Sequence, residues 1–337
     1  MKVLLISPTS PIGGIATWTN EVMNSKYSKD IILFDTGKEE NTRSFKSVLF
    51  DLLKSIKIAI KCLFEKKCKI VHINSACSTF GMMREILWIK CLNNKKKVIV
   101  EFHCDVSIYC KTNFKRKLLK IILNNIDTCF VLNEFSMNYV NKISDIRCIF
   151  VPNFINVNEK YEYDVRDEIK KIIYLGRICK DKGIDVIQEI AKQFPNIIFE
   201  LTGPKEENTE IQEKNIIIKS PIKKEDVNNY LRTGDLLIFP SLAEGFPMIY
   251  LEAMNAGIPI LTNNVGSASY MFSKSKYLDL VLVNKNSILH YIENIKKLQD
   301  KSIRQDISIE NYKCLINSYT KEKCLDSLFK IYKEISF

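Results

Sequence analysis

Short apolar runs alternate with longer amphipathic segments along the whole chain. Runs of this kind, separated by stretches long enough for a crossover helix, are typical of parallel strands that are covered on both faces. In the first half they fall at Val3–Ser7, Ile31–Phe34, Ile70–Asn74, Val98–Phe102, Thr128–Leu132 and Ile146–Val151. The pattern predicts a doubly wound parallel sheet with helices on both faces.

A second set of strands follows the polar stretch Asn156 to Asp167, which the pattern marks as a linker. These apolar runs fall at Ile172–Leu175, Ile197–Thr202, Ile216–Ile218, Leu236–Phe239, Ile258–Thr262 and Leu280–Val283. After them, Lys301 to Ser336 is predicted to be helical, because apolar residues recur there with helical spacing. The pattern therefore predicts two Rossmann-like α/β domains in tandem, an arrangement that usually binds its ligand in the cleft between them.

Composition favours a globular protein in a reducing compartment. The chain has 337 residues, which is longer than a domain that folds around a single hydrophobic core usually is. Of these residues, 46% are apolar and 26% are charged. Its eleven cysteines show no C-x-x-C pair, so we expect buried thiols in place of disulfides or a zinc site. The first apolar run stops at Pro8, too short for a signal peptide, and no stretch is apolar enough to span a membrane. We therefore expect a cytoplasmic protein.

Charge is uneven along the chain. Residues 1–165 contain 25 Lys and Arg against 16 Asp and Glu, whereas residues 166–337 contain 25 against 23. Two basic helical patterns, Arg43 to Lys69 and Lys111 to Lys120, suit an anionic membrane surface. The alternative is that a bias towards lysine merely places solvated charges there. A nucleic-acid partner is not expected, because the basic half lacks interleaved exposed aromatic residues.

The main group of candidate ligand-binding residues follows the strand Leu236–Phe239. There Glu244 lies in the turn, and Glu252 is expected in the second turn of the next helix. In open α/β sheets, ligands collect at the carboxyl ends of strands, where helix N-termini favour anions. Because carboxylates accept paired hydrogen bonds from hydroxyls, the two residues suit a molecule with hydroxyls on both sides of a phosphate. A nucleotide sugar fits that description.

Two further turns carry candidate residues, one in the second domain and one in the first domain. Gly176 and Arg177 end the strand Ile172–Leu175, and Lys182 opens the next helix, so two cations could neutralise a diphosphate. Gly13 and Gly14 follow the first strand, where they allow close approach of a ligand or simply form a tight turn.

The three histidines occupy different kinds of position. His103 directly follows the strand Val98–Phe102, with Asp105 two residues later, which favours a ligand contact. His72 falls inside an apolar strand, and His290 falls in a helical surface pattern. No His, Asp or Glu set has metal-ligand spacing, so we expect no metal.

Together these motifs resemble one enzyme family. The runs "SPIGGIATW", "VEFHCD", "VPNF", "GRICKDKG" and "PSLAEGFPMIYLEAMNAGIPI" occur in the order found in retaining glycosyltransferases of family 4. The resemblance implies the GT-B fold, with an acceptor-binding domain over 1–160 and a nucleotide-sugar-binding domain over 161–315. It also implies that residues 316–337 form a helix that returns to the N-terminal domain, and that the enzyme needs no metal or other cofactor.

The resemblance also implies a role for each site residue. Arg177 and Lys182 would hold the donor diphosphate, Glu252 the ribose, and Glu244 the sugar hydroxyls, with His103 facing the sugar. Arg177, Lys182, Glu244 and His103 are thus the predicted catalytic residues. The predicted donor-binding residues are Gly14, Gly176, Gly245, Phe246, Pro247, Met248 and Glu252.

Two positions depart from the family pattern. Phe154 follows Pro152-Asn153 where the family often has glycine, and Ser220-Pro221 stands where a glycine often precedes the nucleobase. The departures leave the linker geometry and the base open. The loops that would bind the acceptor are Ser75 to Met83 and Cys104 to Asn113. Their sequences do not identify the acceptor.

The resemblance implies transfer of a sugar from a nucleoside-diphosphate sugar to a hydroxyl of a growing glycan or a lipid-linked glycan. We expect this in bacterial surface polysaccharide synthesis, such as capsule, O-antigen or exopolysaccharide. Two alternatives stay open: a sugar-nucleotide epimerase of the same architecture, and a catalytically degenerate assembly protein.

Overall fold

The computed structural model describes residues 1–11, 13–37, 45–92, 96–157, 161, 163–284 and 287–336. The chain forms two compact units. The first comprises Met1–Asn153 with Lys321–Phe337, and the second comprises Phe154–Thr320. The sequence predicts domain boundaries after residues 160 and 315, whereas the two units divide after Asn153 and after Thr320.

Each unit is built on a parallel sheet that has six strands in the described part of the chain. The order is β2-β1-β3-β4-β5-β6 in the first unit and β12-β11-β10-β7-β8-β9 in the second. In chain order the strands are β1 (Val3–Ser7), β2 (Ile31–Asp35), β3 (Ile70–Ser75), β4 (Lys97–Phe102), β5 (Thr128–Val131), β6 (Arg147–Phe150), β7 (Lys171–Leu175), β8 (Ile198–Thr202), β9 (Ile216–Lys219), β10 (Leu236–Phe239), β11 (Ile260–Asn263) and β12 (Leu282–Val283).

Helices connect the strands. They are α1 (Gly14–Met23), α2 (Phe45–Phe64), α3 (Thr79–Cys91), α4 (Val106–Tyr109), α5 (Asn113–Leu123), α6 (Glu134–Asn141), α7 (Ile184–Gln193), α8 (Val227–Leu231), α9 (Met248–Ala256), α10 (Ala268–Phe272), α11 (Leu278–Val281), α12 (Ile288–Lys297), α13 (Lys301–Ser318) and α14 (Lys321–Ile335). The predicted doubly wound α/β class is confirmed. Every predicted strand is present, with each end within two residues of the prediction.

The strands have the burial that their sequences indicate. All residues of β1, β3 and β10 are buried. Apolar side chains therefore leave water on both faces of each sheet, which is the main favourable contribution to folding.

The segment Lys301 to Ser336, which the sequence predicts to be helical, forms two helices in the structure. Helix α13 ends at Ser318, and Tyr319 instead accepts a hydrogen bond from the Ile155 amide at 3.2 Å. Thr320 forms a parallel bridge with Ile155. Pairing with a distant extended segment thus replaces the helical bonds at this point.

The end of the predicted linker is packed within the second unit. The Tyr163 hydroxyl donates to the Gly234 carbonyl at 2.9 Å, and Arg166 pairs with the buried carboxylate of Asp235 at 2.6 Å. The buried guanidinium of Arg304 donates to the carbonyl of Asp167 at 3.1 Å. These residues at the end of the predicted linker are therefore held by specific hydrogen bonds.

Helix α14 belongs to the first unit. Its Phe329 ring stacks on Tyr27 at 3.9 Å between centroids, and Lys321 pairs with Glu21 at 2.9 Å. The buried Leu325, Leu328 and Tyr332 lie on its predicted apolar stripe. The helix therefore completes the core of the unit that contains the start of the chain.

The eleven cysteines form no disulfide, and eight of them are buried. Burial raises the pKa of Cys62 to about 12, so this thiol stays protonated at neutral pH. Of the described residues, none lies in a helix with the length and hydropathy needed to span a membrane.

Glu85 in α3 gives the first unit a pH-dependent stability. The side chain is 3% exposed, and burial raises its pKa from 4.5 to about 7, against smaller lowering effects of Ser75 and Arg84. Between these two values the unfolded chain releases the proton first, so the free energy of unfolding falls as pH rises.

We predict that Glu85→Gln removes this dependence. At pH 5 the variant and the parent should be similar. At pH 8 the variant should be more stable, by on the order of 3 kcal/mol at most. Urea unfolding at both pH values measures this, with the exposed Glu134→Gln in the same unit as control. A parent whose stability stays level from pH 5 to pH 8 would contradict the prediction.

Candidate functional site

In the second unit, loops from three strand ends are tied together by backbone hydrogen bonds. The amide of Gly176 donates to Thr202 at 3.0 Å, and the Tyr174 hydroxyl donates to the Arg177 carbonyl at 2.6 Å. The amide of Leu242 donates to Asp181 at 3.0 Å. The loops after β7, β8 and β10 therefore lie at one edge of the sheet, as the strand order dictates.

Asn263, at the end of β11, supports the loop that carries Glu244. Its fully buried amide donates to the carbonyls of Pro240 and Ser241 at 2.9 and 3.1 Å. Its oxygen accepts from the Tyr291 hydroxyl at 3.1 Å. Sequence analysis missed this residue, although a polar side chain that ends a buried apolar strand was the available signal.

Two glycines allow the loops to approach one another. Gly183 has a φ of +74°, and a Cβ there would lie 2.2 Å from the Pro240 carbonyl oxygen. Gly266 has a φ of +58°, and its Cβ would lie 2.6 Å from the Gly245 carbonyl oxygen. Only glycine fits at either position, because both the backbone angle and the space exclude a side chain.

The structure pairs two of the predicted catalytic residues with each other. Lys182 lies in the 3₁₀ turn Lys180–Lys182, and its Nζ is 2.5 Å from Oε1 of Glu244. The side chains are 18% and 14% exposed, so the pair is largely shielded from water. The ammonium has three donors and the carboxylate has two oxygens, so each keeps capacity for a ligand.

Arg177 occupies a more open position. Its guanidinium lies 3.3 Å from Oε1 of Glu206, and the two side chains are 61% and 57% exposed. Exposed pairs of this kind contribute about 0 to 1 kcal/mol, because water screens the charges. The guanidinium can therefore leave Glu206 for a stronger anionic partner at little cost.

Helix α9 presents its N-terminus next to Glu244. Pro247 is the N-cap residue and makes no side-chain cap, so its side chain satisfies none of the amides of the first turn. Such amides, with the helix dipole, favour a bound anion. Phe246 is 5% exposed and packs on Tyr319 at 5.7 Å, so its ring anchors the turn.

Glu252 lies in the second turn of α9, as predicted. Burial raises the pKa of its carboxyl group, and Lys224 opposes the rise. A ligand hydroxyl at this carboxyl group would compensate for the lost hydration.

The two remaining predicted residues lie in the first unit. His103 follows β4, and its imidazole is 4% exposed, with Nε2 at 3.4 Å from Oε1 of Glu101. Burial lowers the pKa of His103. Gly14 begins α1, where a Cβ would meet nothing within 4 Å, so the fold itself does not require glycine there.

The second unit also has a cavity away from this edge. A surface cavity of about 300 Å³ in the second unit is lined by Asp185, Glu189, Glu210, Glu213 and neighbouring residues, a set that does not favour a diphosphate. Within the described ranges, no group of three His, Cys, Asp or Glu side chains could hold a metal ion.

The sequence of this chain is similar to a glycosyltransferase family model and to individual proteins. Residues 158–313 match the family model for glycosyl transferases group 1. An uncharacterized 41.2 kDa protein in the cps region of Klebsiella pneumoniae is 25% identical over 99% of this chain and 99% of its own length. A putative teichuronic acid biosynthesis glycosyltransferase of Bacillus subtilis is 23% identical over 53% of this chain and 47% of its own.

The solved structures agree at the level of the fold. Anabaena HepE in complex with UDP is similar to this chain with a TM-score of 0.78 at 13% identity, covering 99% of this chain and 100% of that one. The two six-stranded sheets thus have the GT-B architecture predicted from the sequence.

We predict that Asn263→Ala destabilises the second unit. It leaves the carbonyls of Pro240 and Ser241 without their donor, at a cost of about 1 to 3 kcal/mol. Thermal unfolding measures the effect, and the neighbouring exposed Asn264→Ala is the control. Equal melting temperatures for the two variants would show that Asn263 does not support the loop.

Proposed function

We propose that this chain, which has the GT-B fold, is a group 1 glycosyl transferase that transfers a sugar from a nucleoside-diphosphate sugar with retention of configuration. The acceptor is a hydroxyl of a growing glycan or lipid-linked glycan. The observation that carries the proposal is the edge where Lys182, Glu244 and the uncapped N-terminus of α9 lie together.

Each part of this edge suits one part of the donor. Lys182, Arg177 and the α9 amides take the diphosphate, where negative charge develops as the sugar leaves. Glu244 accepts hydrogen bonds from the sugar, and Glu252 accepts them from the ribose. These cations and amides stabilise the leaving group in the role that a metal ion has in other transferases, so the proposed reaction needs no metal.

The proposed reaction uses no protein nucleophile. The acceptor oxygen attacks the anomeric carbon from the face that the phosphate leaves, so one carbon–oxygen bond forms as the other breaks. The acceptor proton passes to the departing phosphate oxygen. The family resemblance implies that His103 contacts the sugar.

The names of similar proteins support the setting. One relative is encoded in a cps region and another is assigned to teichuronic acid biosynthesis, while HepE was solved with UDP. We propose a role in bacterial surface polysaccharide synthesis, in the cytoplasm at the inner face of the membrane, with a uridine nucleotide as the first donor to test.

The first unit offers a surface for that membrane. Helices α2, α3 and α5 pack side by side and expose large apolar side chains, which include Phe50, Leu53, Phe64, Phe80 and Phe114. Exposed lysines accompany them on α2 and after it, namely Lys57, Lys61, Lys66 and Lys67. A bias towards lysine would explain the exposed charges. It does not explain why the side chains of Phe64 and Phe80 are 74% and 75% exposed. Arg43 lies outside the described residues.

We predict different effects for two donor-site variants. Arg177→Ala should lower kcat by about 10²-fold, because it removes a cation from the leaving group. Glu252→Ala should mainly raise the donor Kd, by about 10- to 100-fold, through loss of a charged hydrogen bond. Lys180→Ala, in the same turn as Lys182, is the control.

A thermal-shift screen of UDP-, GDP-, ADP- and CMP-sugars identifies the donor before kinetics. Wild-type rates in both Arg177→Ala and Glu252→Ala would overturn the site. Epimerised sugar nucleotide without any acceptor would indicate an epimerase, and donor binding without turnover would indicate a degenerate protein.

We predict that the chain floats with vesicles that contain anionic lipid. The double variant Phe64→Ser/Phe80→Ser should lower the bound fraction at least about tenfold, because burying each Phe side chain in the membrane contributes about 1.5 to 3 kcal/mol. The control is Leu289→Ser, which removes an apolar side chain that is 73% exposed in the second unit. Absence of the parent from floated anionic vesicles would refute membrane binding, and concentration-dependent dimers would indicate self-association.

A further inference from the structure

Exposed apolar side chains are concentrated on three helices of the first unit. Among the described residues, twenty large apolar side chains are exposed, and twelve of them lie on α2, α3 and α5. Singly scattered apolar side chains are normal on any protein surface, whereas a large contiguous patch marks an interaction site. The concentration on three helices therefore indicates a surface that binds something.

Helix α2 has two apolar faces. Ile58 and Cys62 are buried in the core of the first unit, whereas Leu53, Ile60 and Phe64 are at least half exposed. At about 100° per residue, these three exposed side chains project in nearly the same direction, and Cys62 projects in the opposite one. One face of α2 thus packs on the sheet, and the opposite face presents a line of apolar side chains to solvent.

The same spacing recurs on the neighbouring helices. Phe80 and Leu87 are exposed on α3, and Phe114 and Ile121 are exposed on α5. The members of each pair are seven residues apart, which is nearly two turns, so each pair also lies along the helix axis. Helix α3 contacts both α2 and α5, and the inner sides of all three helices share one apolar core. The three lines therefore lie side by side on the outer face of a single helical layer.

The charges on these helices indicate the kind of partner. Helices α2, α3 and α5 contain ten Lys and Arg residues but only two Asp and Glu residues, of which Glu85 is buried. On α2, Lys57 and Lys61 are exposed and border the apolar line. In a two-fold dimer identical patches meet, so a second copy of this chain would bring like charges together. An anionic lipid surface instead offers negative charge to the cations and hydrocarbon to the apolar side chains.

The direction of the apolar lines determines how the unit meets such a surface. A helix that entered a bilayer by one end would need exposed apolar side chains at that end only. Leu53 and Phe64 are about 16 Å apart along α2, so both reach the membrane only when the helix axis is parallel to it. Because the three helices form one layer on the sheet, the sheet is then also parallel to the membrane, at a distance of about 10 Å.

We propose that the first unit lies flat on an anionic bilayer, with α2 in the plane of the headgroups and the apolar lines of α2, α3 and α5 inserted at the edge of the hydrocarbon. The proposal rests on the membrane binding proposed above, and not on the transfer reaction. Loops at the carboxyl edge of the first sheet then open sideways along the membrane.

The other side of this sheet faces water in the proposed orientation. His72 of β3 projects from that side, because its neighbours Val71 and Ile73 join the core under the three helices. Tyr332 of α14 packs on the His72 ring, so α14 covers that side. Helix α14 therefore faces away from the membrane.

Tryptophan fluorescence with lipids that are brominated at different depths of the acyl chain measures the orientation. The probes are Leu53→Trp and Phe64→Trp on α2 and Phe114→Trp on α5. The two native tryptophans are buried and contribute the same background to every variant. In vesicles of phosphatidylcholine and phosphatidylglycerol in equal parts, we expect all three probes to be quenched at the same depth. Quenching of only one probe would overturn the flat orientation, although membrane binding would stand.

The matched control places the probe on the opposite side of the same sheet. Ser327 is exposed on α14, and Ser327→Trp should remain in water and escape quenching. Quenching of this probe would show that the opposite side meets the membrane and would refute the proposal.

Charge variants test the lysines that border α2. Lys57→Gln with Lys61→Gln should weaken binding to the same vesicles by about 10- to 30-fold, because each cation near an anionic surface contributes to the affinity. Lys323→Gln with Lys330→Gln removes the same net charge from exposed positions on α14 and should weaken binding much less. Equal losses in the two double variants would show that net charge alone attracts the protein, and that α2 has no special position.

These measurements separate the orientation from the transfer reaction. If the three probes are quenched at one depth but no sugar is transferred from any donor, the proposed reaction fails and the orientation stands. Transfer by a protein whose probes stay unquenched would give the reverse result. Dimers that shield the same probes in the absence of lipid would show that this face pairs with a second copy, and would overturn the proposal.

Discussion

Parallel pairing of the strands is the constraint on which the site depends. When all strands of a sheet run the same way, their carboxyl ends and the loops that follow lie at one edge. Residues from 176 to 266 meet in the second unit for this reason, although the chain leaves and re-enters the sheet several times between them. Glycines and one buried asparagine then hold these loops close to one another.

The two units treat charge differently. At the edge of the second unit, Lys182 and Glu244 are largely shielded from water, and the Arg177 guanidinium pairs with the exposed carboxylate of Glu206. An exposed pair of this kind can change partners when an anion arrives. In the first unit, the fully buried side chain of Glu101 lies between the imidazoles of His72 and His103.

The family match and the local geometry concern different parts of the chain. The match to group 1 glycosyl transferases covers residues 158–313, which contain the strand edge with its cations, amides and carboxylates. The first unit, where this family match does not extend, contains the apolar lysine-bordered surface and the buried His–Glu–His cluster.

The amino-acid sequence by itself determined the elements. Alternating apolar runs predicted all twelve strands, and their ends predicted where Glu244, Glu252, Arg177 and His103 would lie, because a strand end is a local property of composition and spacing. Residues whose role depends on a partner far away in the chain were not predictable in this way. Tyr319 leaves the helix because Ile155 offers a backbone partner.

Only the tertiary structure decided which polar side chains meet. Asn263 supports a loop that begins more than twenty residues earlier, and Glu101 meets His72 through the register of two strands and Tyr332 through a helix at the other end of the chain. Local patterns report burial and periodicity, which each residue carries with it. A hydrogen bond needs two atoms within about 3 Å of each other, and that distance is set by the packing of the whole unit.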